Sequence, residues 1–435
     1  MKLLRPLFQV LNYSLVEPAR AEPRVLLLAL STMLMTMGQG IVGPILPLLV
    51  DSYGLTAVMV GFAVSAFALA RVFANIPAGV LTRVRGARFV LVVGAAISVI
   101  GNLMVGLIPN YTALVVFRFV AGAGSALFIT ASVIFVAEVS TPQNRGRLMT
   151  IYQAAFLLGI TLGPAVGGIT ADLFGFAAPF YLVALVSAAS GVWALAKIPA
   201  NVARAPERTA SPVNPQHHSA PVGDAPTADA PASSVYRNGG YHGVNLLTFA
   251  TFFTRGGALF TLWPLLGKER YSLGPGQLGL IFTVPAAVNL VCQPFVGAMV
   301  DRVGRKTLLV PTMFLFSIAL LVSGVIPVMA AFVVALAIYG VAQAVEAPAA
   351  NAYVADVAPA QQRAVALGIN RTFGDAGLVV GSPLLGLIAD LAGIPWGLVA
   401  NAGLLLAPGI LFALTAKETA GGRVAATSVQ SGRGS

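Results

Sequence analysis

The chain has 435 residues, of which 57% are hydrophobic and only 9% are charged, and its mean hydropathy is +0.86. Because a soluble domain carries about 25% charged residues, this composition excludes an ordinary soluble globular protein. The formal net charge of +11 fits either a nucleic-acid partner or a membrane protein with basic loops, and the positions of the basic residues decide between the two.

Twelve apolar runs follow one another along the chain, and each is long enough to cross the roughly 30 Å hydrocarbon core of a membrane. They lie at about 25–50, 57–81, 89–109, 112–137, 148–171, 179–198, 244–267, 276–300, 307–328, 330–354, 364–389 and 395–415. The sequence therefore predicts an all-α membrane protein with twelve transmembrane helices, which we number as spans 1 to 12.

Basic residues gather on one side of the predicted membrane. An even number of spans places both termini on the same side, and 20 of the 26 lysine and arginine residues fall in segments on that side. Lys268 and Arg270 lie on the other side, and four arginines lie inside spans. By the positive-inside rule we expect both termini in the cytoplasm of a multi-pass cell-membrane protein, and no nucleic-acid partner.

The second half of the chain repeats the first half at a constant offset of 218 residues. For example, "DSYGL" (51–55) corresponds to "ERYSL" (269–273), and "GITADLFG" (168–175) corresponds to "GLIADLAG" (386–393). Each half has six spans, so the copies are parallel and related by an axis along the membrane normal. We predict two pseudo-symmetric six-helix bundles, which occupy 25–198 and 242–416.

Three segments lie outside the predicted bundles. Residues 199–241 are rich in proline, alanine and serine without a hydrophobic period, as expected for a disordered cytoplasmic linker. Residues 1–24 are expected to be a cytoplasmic N-terminal segment, and 417–435 a disordered cytoplasmic tail. His217 and His218 in the linker have no further ligands beside them, so we expect no metal site.

Four stretches resemble signatures of the major facilitator superfamily, and the resemblance covers nearly the whole chain. The loop "GAMVDRVGRK" (297–306) is similar to the family's loop signature, and "RFVAGAGSA" (118–126) to its helix 4 signature. "GITLGPAVGG" (159–168) is similar to the helix 5 signature of drug:proton antiporters, and "GPILPLL" (43–49) to helix 1 of that twelve-span subgroup. The resemblance implies the major facilitator fold and alternating access, in which two bundles rock about a central site.

Charges next to the membrane are expected to gate the transporter on its cytoplasmic side. Asp301 can approach the N-terminus of a neighbouring helix, expected to be span 5, because the positive end of a helix dipole favours an anion. Arg83 stands where the first-half loop would have its acid, so we expect an asymmetric clamp. The resemblance gives as candidate gating residues Asp301, Arg302, Arg305, Glu138, Arg145, Asp356 and Arg363. The alternative is that these charges only fix the topology.

Gly159, Gly163 and Gly167 recur every four residues and lie along one face of span 5. Such a face lets the backbone of a neighbouring helix approach closely. Pro164 can kink the helix, because proline lacks a backbone donor. The resemblance to antiporters implies that this surface seals the contact between the bundles, and ordinary packing of small residues is the alternative.

Six ionisable residues fall inside the predicted spans, namely Arg71, Arg118, Arg255, Glu346, Arg371 and Asp375. An ionised side chain at the centre of a span costs about 2.5–3.5 kcal/mol on insertion scales, so six of them facing lipid would offset the stability of a whole domain. We therefore expect them to face protein or a water-filled cavity. Arg371 and Asp375 are four residues apart and can pair on one helix face.

Glu346 is the leading candidate for a functional carboxylate. It lies in the middle of span 10, and in the superfamily that the chain resembles spans 1, 4, 7 and 10 line the cavity. A carboxylate there can carry a proton or face a cationic substrate, and a structural ion pair with Arg255 of span 7 is the alternative. For Arg118 the helix 4 signature implies a role near the proton path, and structural hydrogen bonding is the alternative.

Neutral polar and aromatic residues complete the predicted cavity. They are Gln39, Asn245, Gln343, Asn351, Phe253, Trp263 and Tyr339. Together with one buried acid, such a lining suits a bulky amphipathic or cationic solute better than a sugar, which needs many hydrogen-bonding groups.

The sequence thus predicts a secondary active transporter for proton-coupled efflux of small hydrophobic or cationic compounds, of the multidrug type. An importer, or a lipid or lysolipid transporter of the same fold, is the alternative. The spans contain no HExxH pattern, no GxxxxGKS phosphate loop and no cluster of metal ligands, which argues against an enzyme, an ATP-driven pump and a cofactor. The expected partners are a small-molecule substrate, protons and the lipid bilayer around a monomer.

Overall fold

The computed structural model describes residues 23–42, 45, 54–141, 144–199, 235–359 and 362–419. The helices of its first half are α1 (Pro23–Val42), α2 (Ala57–Arg85), α3 (Ala87–Leu107), α4 (Tyr111–Val139), α5 (Arg145–Phe174) and α6 (Ala178–Lys197). Those of the second half, after α7, are α8 (Pro275–Val303), α9 (Arg305–Val325), α10 (Met329–Val357), α11 (Arg363–Ala392) and α12 (Ile394–Thr415). The residues described include no β-strand.

Helix α7 consists of three consecutive segments, which are α-helical Gly239–Thr254, π-helical Arg255–Leu262 and α-helical Trp263–Tyr271. Within the described ranges, ten helices are individually long and apolar enough to cross a membrane. Helix α1 adds the shorter apolar stretch Arg24–Gly38, and α7 is divided by its π-helical segment. The prediction of an all-α membrane protein is confirmed.

The 218-residue offset reappears where one helix turns directly into the next. Gly86 separates α2 from α3 with φ 88°, and its counterpart Gly304 separates α8 from α9 with φ 110°. Gly175 (φ 83°) follows α5 and Gly393 (φ 94°) follows α11, again at equivalent positions. Reversing the chain within one residue requires a positive φ, which glycine adopts without strain. The two halves therefore share their turn chemistry as well as their hydropathy.

The helix bundle has two ends that matter for the site. Helix α1 begins and helix α12 finishes at the same end, which we call the proximal end, because successive helices alternate in direction. Helices α2 and α8 begin at the opposite, distal end, where α5 and α11 finish. The two bundles meet mainly along two pairs of helices, α2 with α11 and α5 with α8, and α2 also contacts the π-helical segment of α7.

The glycine stripe of α5 packs inside the first bundle. A β-carbon on Gly163 would lie 2.6 Å from the Met37 carbonyl oxygen, and one on Gly167 would lie 2.6 Å from the Ile41 carbonyl oxygen, both in α1. Gly159 meets α1 in the same way. The contact with the other bundle lies on the next face of α5, where Gly168 meets Gly279 of α8. The stripe itself thus joins α5 to α1, because residues four apart share one helix face.

The described structure includes the end of the predicted linker and the start of the predicted C-terminal tail. The predicted linker 199–241 is described from Val235 onward, and α7 begins within it, at Gly239. Asn238 explains this start, because its side-chain oxygen accepts a hydrogen bond from the Gly240 N–H at 2.9 Å. The predicted tail 417–435 is described as far as residue 419, and Glu418 binds the start of α9.

Candidate functional site

Helix α7 presents Arg255 at the start of its π-helical segment. In this segment the Thr261 hydroxyl donates to the Gly256 carbonyl oxygen, five residues earlier, at 3.1 Å. The adjacent glycines bring α11 close, since a β-carbon on Gly257 would lie 2.7 Å from the Gly381 carbonyl oxygen. A π-helical turn changes the direction of the side chains that follow it, and such turns are frequent at functional sites.

Glu346 of α10 faces this segment of α7. Its side chain is 1% exposed, and one carboxylate oxygen accepts a hydrogen bond from the Thr251 hydroxyl at 3.2 Å. Arg255 lies one turn after Thr251 on the same face of α7 and interacts electrostatically with Glu346. The structure therefore brings together the two residues that the sequence offered either as a functional pair or as a structural ion pair.

Arg255 has several partners besides Glu346. With the Gln343 amide oriented so that its oxygen faces the guanidinium, that oxygen accepts from Arg255 Nη2 at 2.8 Å and Nε at 3.2 Å. The guanidinium carbon lies 4.5 Å from the centre of the Phe252 ring, within the range of a cation–π contact. Tyr339 also interacts with Arg255. Arg255 is thus held by α10 and by its own helix.

A chain of amides leads from Gln343 into α8. The amide of Asn289 hydrogen-bonds Gln343 at 3.0 Å, and Gln293 hydrogen-bonds Asn289 at 3.0 Å. Because Arg255 carries only donors, the oxygen of Gln343 faces it. The NH2 group of Gln343 then donates to the oxygen of Asn289, and the NH2 group of Asn289 donates to the oxygen of Gln293. Asn289 and Gln293 were not among the residues predicted from the sequence. Their spacing of four residues in an apolar run was an available signal.

A second group of charges lies where the bundles meet. Arg71 of α2 interacts electrostatically with Asp375, Arg371 and Arg255 of the second bundle. Asp375 is 7% exposed, whereas Arg371 is exposed. The carboxylate of Asp375 favours the charge of Arg71, and the two arginines oppose it. With Glu346, which faces Arg255, the described charges of this group are three arginines and two carboxylates.

Several predicted cavity residues are packed inside a bundle instead. Asn245 accepts a hydrogen bond from Asn370 Nδ2 at 2.9 Å, which joins α7 to α11. Trp263 is fully buried and donates to the Ser323 hydroxyl at 2.8 Å. Phe253 is 2% exposed, whereas Asn351 is exposed. The side chain of Gln39 lies outside the described part of the chain.

Arg118 lies apart from Glu346, in the first bundle. It is 5% exposed, and its guanidinium carbon lies 4.5 Å from the centre of the Phe67 ring of α2. A β-carbon on Gly122, one turn later, would collide with the Phe67 backbone, so the glycine of the helix 4 signature sets this close contact. The described geometry thus connects Arg118 to α2 rather than to α7 or α10.

Two of the predicted gating residues, Arg305 and Asp356, contact each other. Arg305 Nε lies 3.0 Å from Asp356 Oδ2, which links the loop signature to the proximal end of α10. The Thr419 hydroxyl donates to the same Asp356 oxygen at 2.9 Å, and Glu418 accepts from the Arg305 N–H at 2.8 Å. Glu138, Arg302 and Arg363 are exposed. The side chains of Asp301 and Arg145 lie outside the described structure.

Two pseudo-symmetric six-helix bundles with charges buried in and between them define a membrane transporter. The chain matches the family model of the Major Facilitator Superfamily over residues 28–254 and 244–433, and it belongs to that superfamily. It is therefore a multi-pass membrane protein that transports small molecules and is not an enzyme, as the sequence predicted.

Named relatives are similar over most of the chain. Multidrug resistance protein 2 of Bacillus subtilis is 23% identical over 364 residues, which cover 82% of this chain and 86% of that protein. An uncharacterized MFS-type transporter of Methanocaldococcus jannaschii is 22% identical over 375 residues, which cover 86% and 93%. The crystal structure of a bacterial homolog of the human lysosomal transporter Spinster, inward-facing and occupied, aligns with a TM-score of 0.76. That alignment covers 92% and 97% of the two chains at 13% identity, so it supports the fold alone.

Proposed function

We propose that the protein is a secondary active transporter that exports small hydrophobic or cationic compounds in exchange for protons. It works by alternating access, as a monomer in the cell membrane with both termini in the cytoplasm. The observation that carries the proposal is Glu346, a fully buried carboxylate held by Thr251 and facing Arg255 at the π-helical segment of α7. Glu346 binds either the proton or the positive charge of the substrate.

The surroundings of Glu346 support this exchange. A buried carboxylate is stable only when its charge is compensated, and here one hydrogen bond and one arginine compensate it. Protonation removes the need for that compensation, and Arg255 keeps its bonds to Gln343 in either state. A cation beside Glu346 substitutes for the proton. Proton and cation therefore compete for one group, which is the condition for antiport.

The relatives support the direction of transport. The similarity to multidrug resistance protein 2 of Bacillus subtilis, over 82% of this chain, favours efflux of structurally varied compounds. The apolar and aromatic surroundings of Arg255, including Phe252 and Tyr339, suit hydrophobic cations. The basic residues at the proximal end favour a cytoplasmic location of that end, so substrates enter from the cytoplasm.

Transport into everted membrane vesicles tests the proposal, with ethidium as a hydrophobic cationic probe. Efflux in cells becomes uptake in such vesicles, and we expect uptake that collapses when the proton gradient is dissipated. Glu346→Gln should abolish this gradient-driven uptake, because the amide cannot release a proton. Glu269→Gln is the matched control, since Glu269 is an exposed carboxylate outside the site.

Three outcomes would contradict the proposal. Uptake that persists unchanged in Glu346→Gln would remove Glu346 from proton coupling. Transport of ethidium out of everted vesicles would indicate an importer. Gradient-independent movement of a fluorescent lysolipid, without ethidium transport, would favour a lipid transporter of the same fold.

A further inference from the structure

At the distal end, each bundle contributes one carboxylate that binds the first turn of a helix in the other bundle. Asp390 of α11 accepts hydrogen bonds from the N–H groups of Ala57, at 2.8 Å, and Val58, at 2.9 Å, at the start of α2. Asp172 of α5 accepts one from the Gly276 N–H, at 2.8 Å, at the start of α8. Both pairs of helices that join the bundles are thus connected at this end.

The two contacts are copies of each other under the sequence repeat. Asp390 lies 218 residues after Asp172, and Gly276 lies 218 residues after Val58. The contact on α2 has one more hydrogen bond, because the residue equivalent to Ala57 is Pro275, which has no N–H to donate. The same contact between an aspartate and a helix N-terminus therefore occurs twice, and the contact on α8 has one hydrogen bond fewer because of Pro275.

A glycine one turn earlier allows each carboxylate to reach its target. A β-carbon on Gly386 would lie 2.5 Å from the Ala57 carbonyl oxygen, and one on Gly168 would lie 2.9 Å from the α-carbon of Gly279. The helix backbones are therefore in direct contact at both positions. In each case the aspartate follows the glycine by four residues, so it lies on the same helix face and extends over the neighbouring N-terminus. The pattern G-x-x-x-D at 168–172 and 386–390 encodes the contact.

The chemistry of these contacts suits an interaction that forms and breaks. The first N–H groups of a helix have no partner within the helix, and the positive end of the helix dipole favours an anion. Both aspartates are exposed, so water can hydrogen-bond the carboxylate and the helix N–H groups when the helices separate. A buried ion pair would resist separation much more strongly, because each charge would lose its only partner.

We propose that Asp172 and Asp390 form a distal clasp, which stabilises the state closed at the distal end and is released whenever that end opens. The clasp sets the balance between the two access states and does not touch the substrate. It rests on the alternating access of the proposed function, but on neither the substrate nor the coupling ion.

Distances between spin labels at the two ends test the clasp. The single native cysteine is replaced by Cys292→Ser, and labels are attached at Leu107→Cys and Val325→Cys, the exposed last residues of α3 and α9 at the distal end. A second pair at Val84→Cys and Val303→Cys reports on the proximal end. The full chain is measured in lipid nanodiscs, with and without Asp172→Ala and Asp390→Ala.

Removing an N-cap of ordinary strength changes an equilibrium constant about fivefold. We therefore expect each single variant to raise the ratio of distal-open to distal-closed protein about fivefold, with Asp390→Ala the larger, and the double variant about 25-fold. The proximal labels should move closer together as the distal labels separate. Glu269→Gln, an exposed carboxylate of the same end, should change neither distance.

Pro275→Ala tests the clasp by adding a hydrogen bond, so its expected effect cannot result from a weakened fold. It restores the missing N–H beside Asp172, so it should increase the distal-closed population, and this increase should vanish when Asp172→Ala is also present. An unchanged distal distribution in the double alanine variant would overturn the clasp. So would lengthening at both ends at once, which indicates a loosened fold.

The same labels separate the clasp from the proposed function. If the unmodified protein shows opposite changes at the two ends and the aspartate variants leave them unaltered, the clasp is refuted and alternating access stands. If the two ends never change in opposite directions, alternating access itself fails, and the clasp fails with it.

Discussion

Replacing Arg255 with glutamine should give a protein whose stability falls as the pH rises, whereas the stability of the Glu346→Gln protein should vary less with pH. The two variants differ because Arg255 without Glu346 keeps other partners, whereas Glu346 without Arg255 keeps fewer. Without Glu346, Arg255 keeps the Gln343 oxygen at 2.8 and 3.2 Å and the Phe252 ring at 4.5 Å. Without Arg255, the carboxylate of Glu346 keeps, among the described residues, one hydrogen bond, from Thr251 at 3.2 Å, in a site where it is 1% exposed.

The magnitudes follow from these contacts. Leaving a buried charge without its partner costs about 3–5 kcal/mol, and Arg255→Gln should reach this range while Glu346 is ionised. Glu346→Gln should cost less, about 1–3 kcal/mol, because the remaining partners of Arg255 compensate its charge. Lowering the pH should recover part of the loss in Arg255→Gln, since a protonated Glu346 does not need the arginine. The Glu346→Gln protein has no carboxylate at this position, so its own stability should vary less with pH than that of Arg255→Gln.

Thermal unfolding of the purified protein in detergent measures both effects. Each kcal/mol corresponds to about 2–4 °C for domains of 150–250 residues, the size range of each bundle, so Arg255→Gln should lower Tm by roughly 6–20 °C at mildly alkaline pH. Arg302→Gln, which removes an exposed arginine, should leave Tm nearly unchanged. A Tm loss in Arg255→Gln that is the same at acidic and alkaline pH would refute the reasoning.

Two further predictions concern packing and the proximal end. Gly163→Ala should cost about 1–3 kcal/mol of unfolding free energy, because the new β-carbon would lie 2.6 Å from the Met37 carbonyl oxygen. Gly79→Ala, with nothing within 4 Å of the new β-carbon, should be neutral or stabilising; equal Tm values would contradict the packing argument. Glu418→Ala should remove the acceptor for the N–H groups of Arg305, at 2.8 Å, and Thr307, at 2.9 Å, and so speed amide exchange at the start of α9. Exchange there at the rate of the unmodified protein would show that this contact is not stabilising.

The sequence was informative where the signal is local or repeated. Hydropathy defined the spans, because a helix in hydrocarbon must be apolar along its length. The 218-residue offset predicted two equivalent halves, and the paired glycines Gly86 and Gly304 adopt the same positive φ. Glu346 and Arg255 could be proposed as partners because both are ionisable residues in the middle of spans, where unpaired charge is costly.

The sequence was less informative about which neighbour each side chain meets. Trp263 and Asn245 were predicted to line the cavity, but each bonds to a residue in the same bundle. For the glycines of α5 the resemblance implied a seal between the bundles, with ordinary packing as the alternative, and their contacts with α1 favour packing. In both cases the rotation of a helix about its own axis decides the outcome, and a nearly uniform apolar composition leaves that rotation undetermined.

The amino-acid sequence by itself determined the number of spans, their grouping into two copies and the residues that cannot face lipid, because each of these follows from the cost of placing polar groups in hydrocarbon. The tertiary structure alone decided that Arg255 faces Glu346, that an amide chain from α8 supports it, and that Asp172 and Asp390 reach across the bundle contact. These contacts join helices far apart in the chain. They depend on the close approach that glycines allow between backbones, and that approach exists only in the assembled bundle.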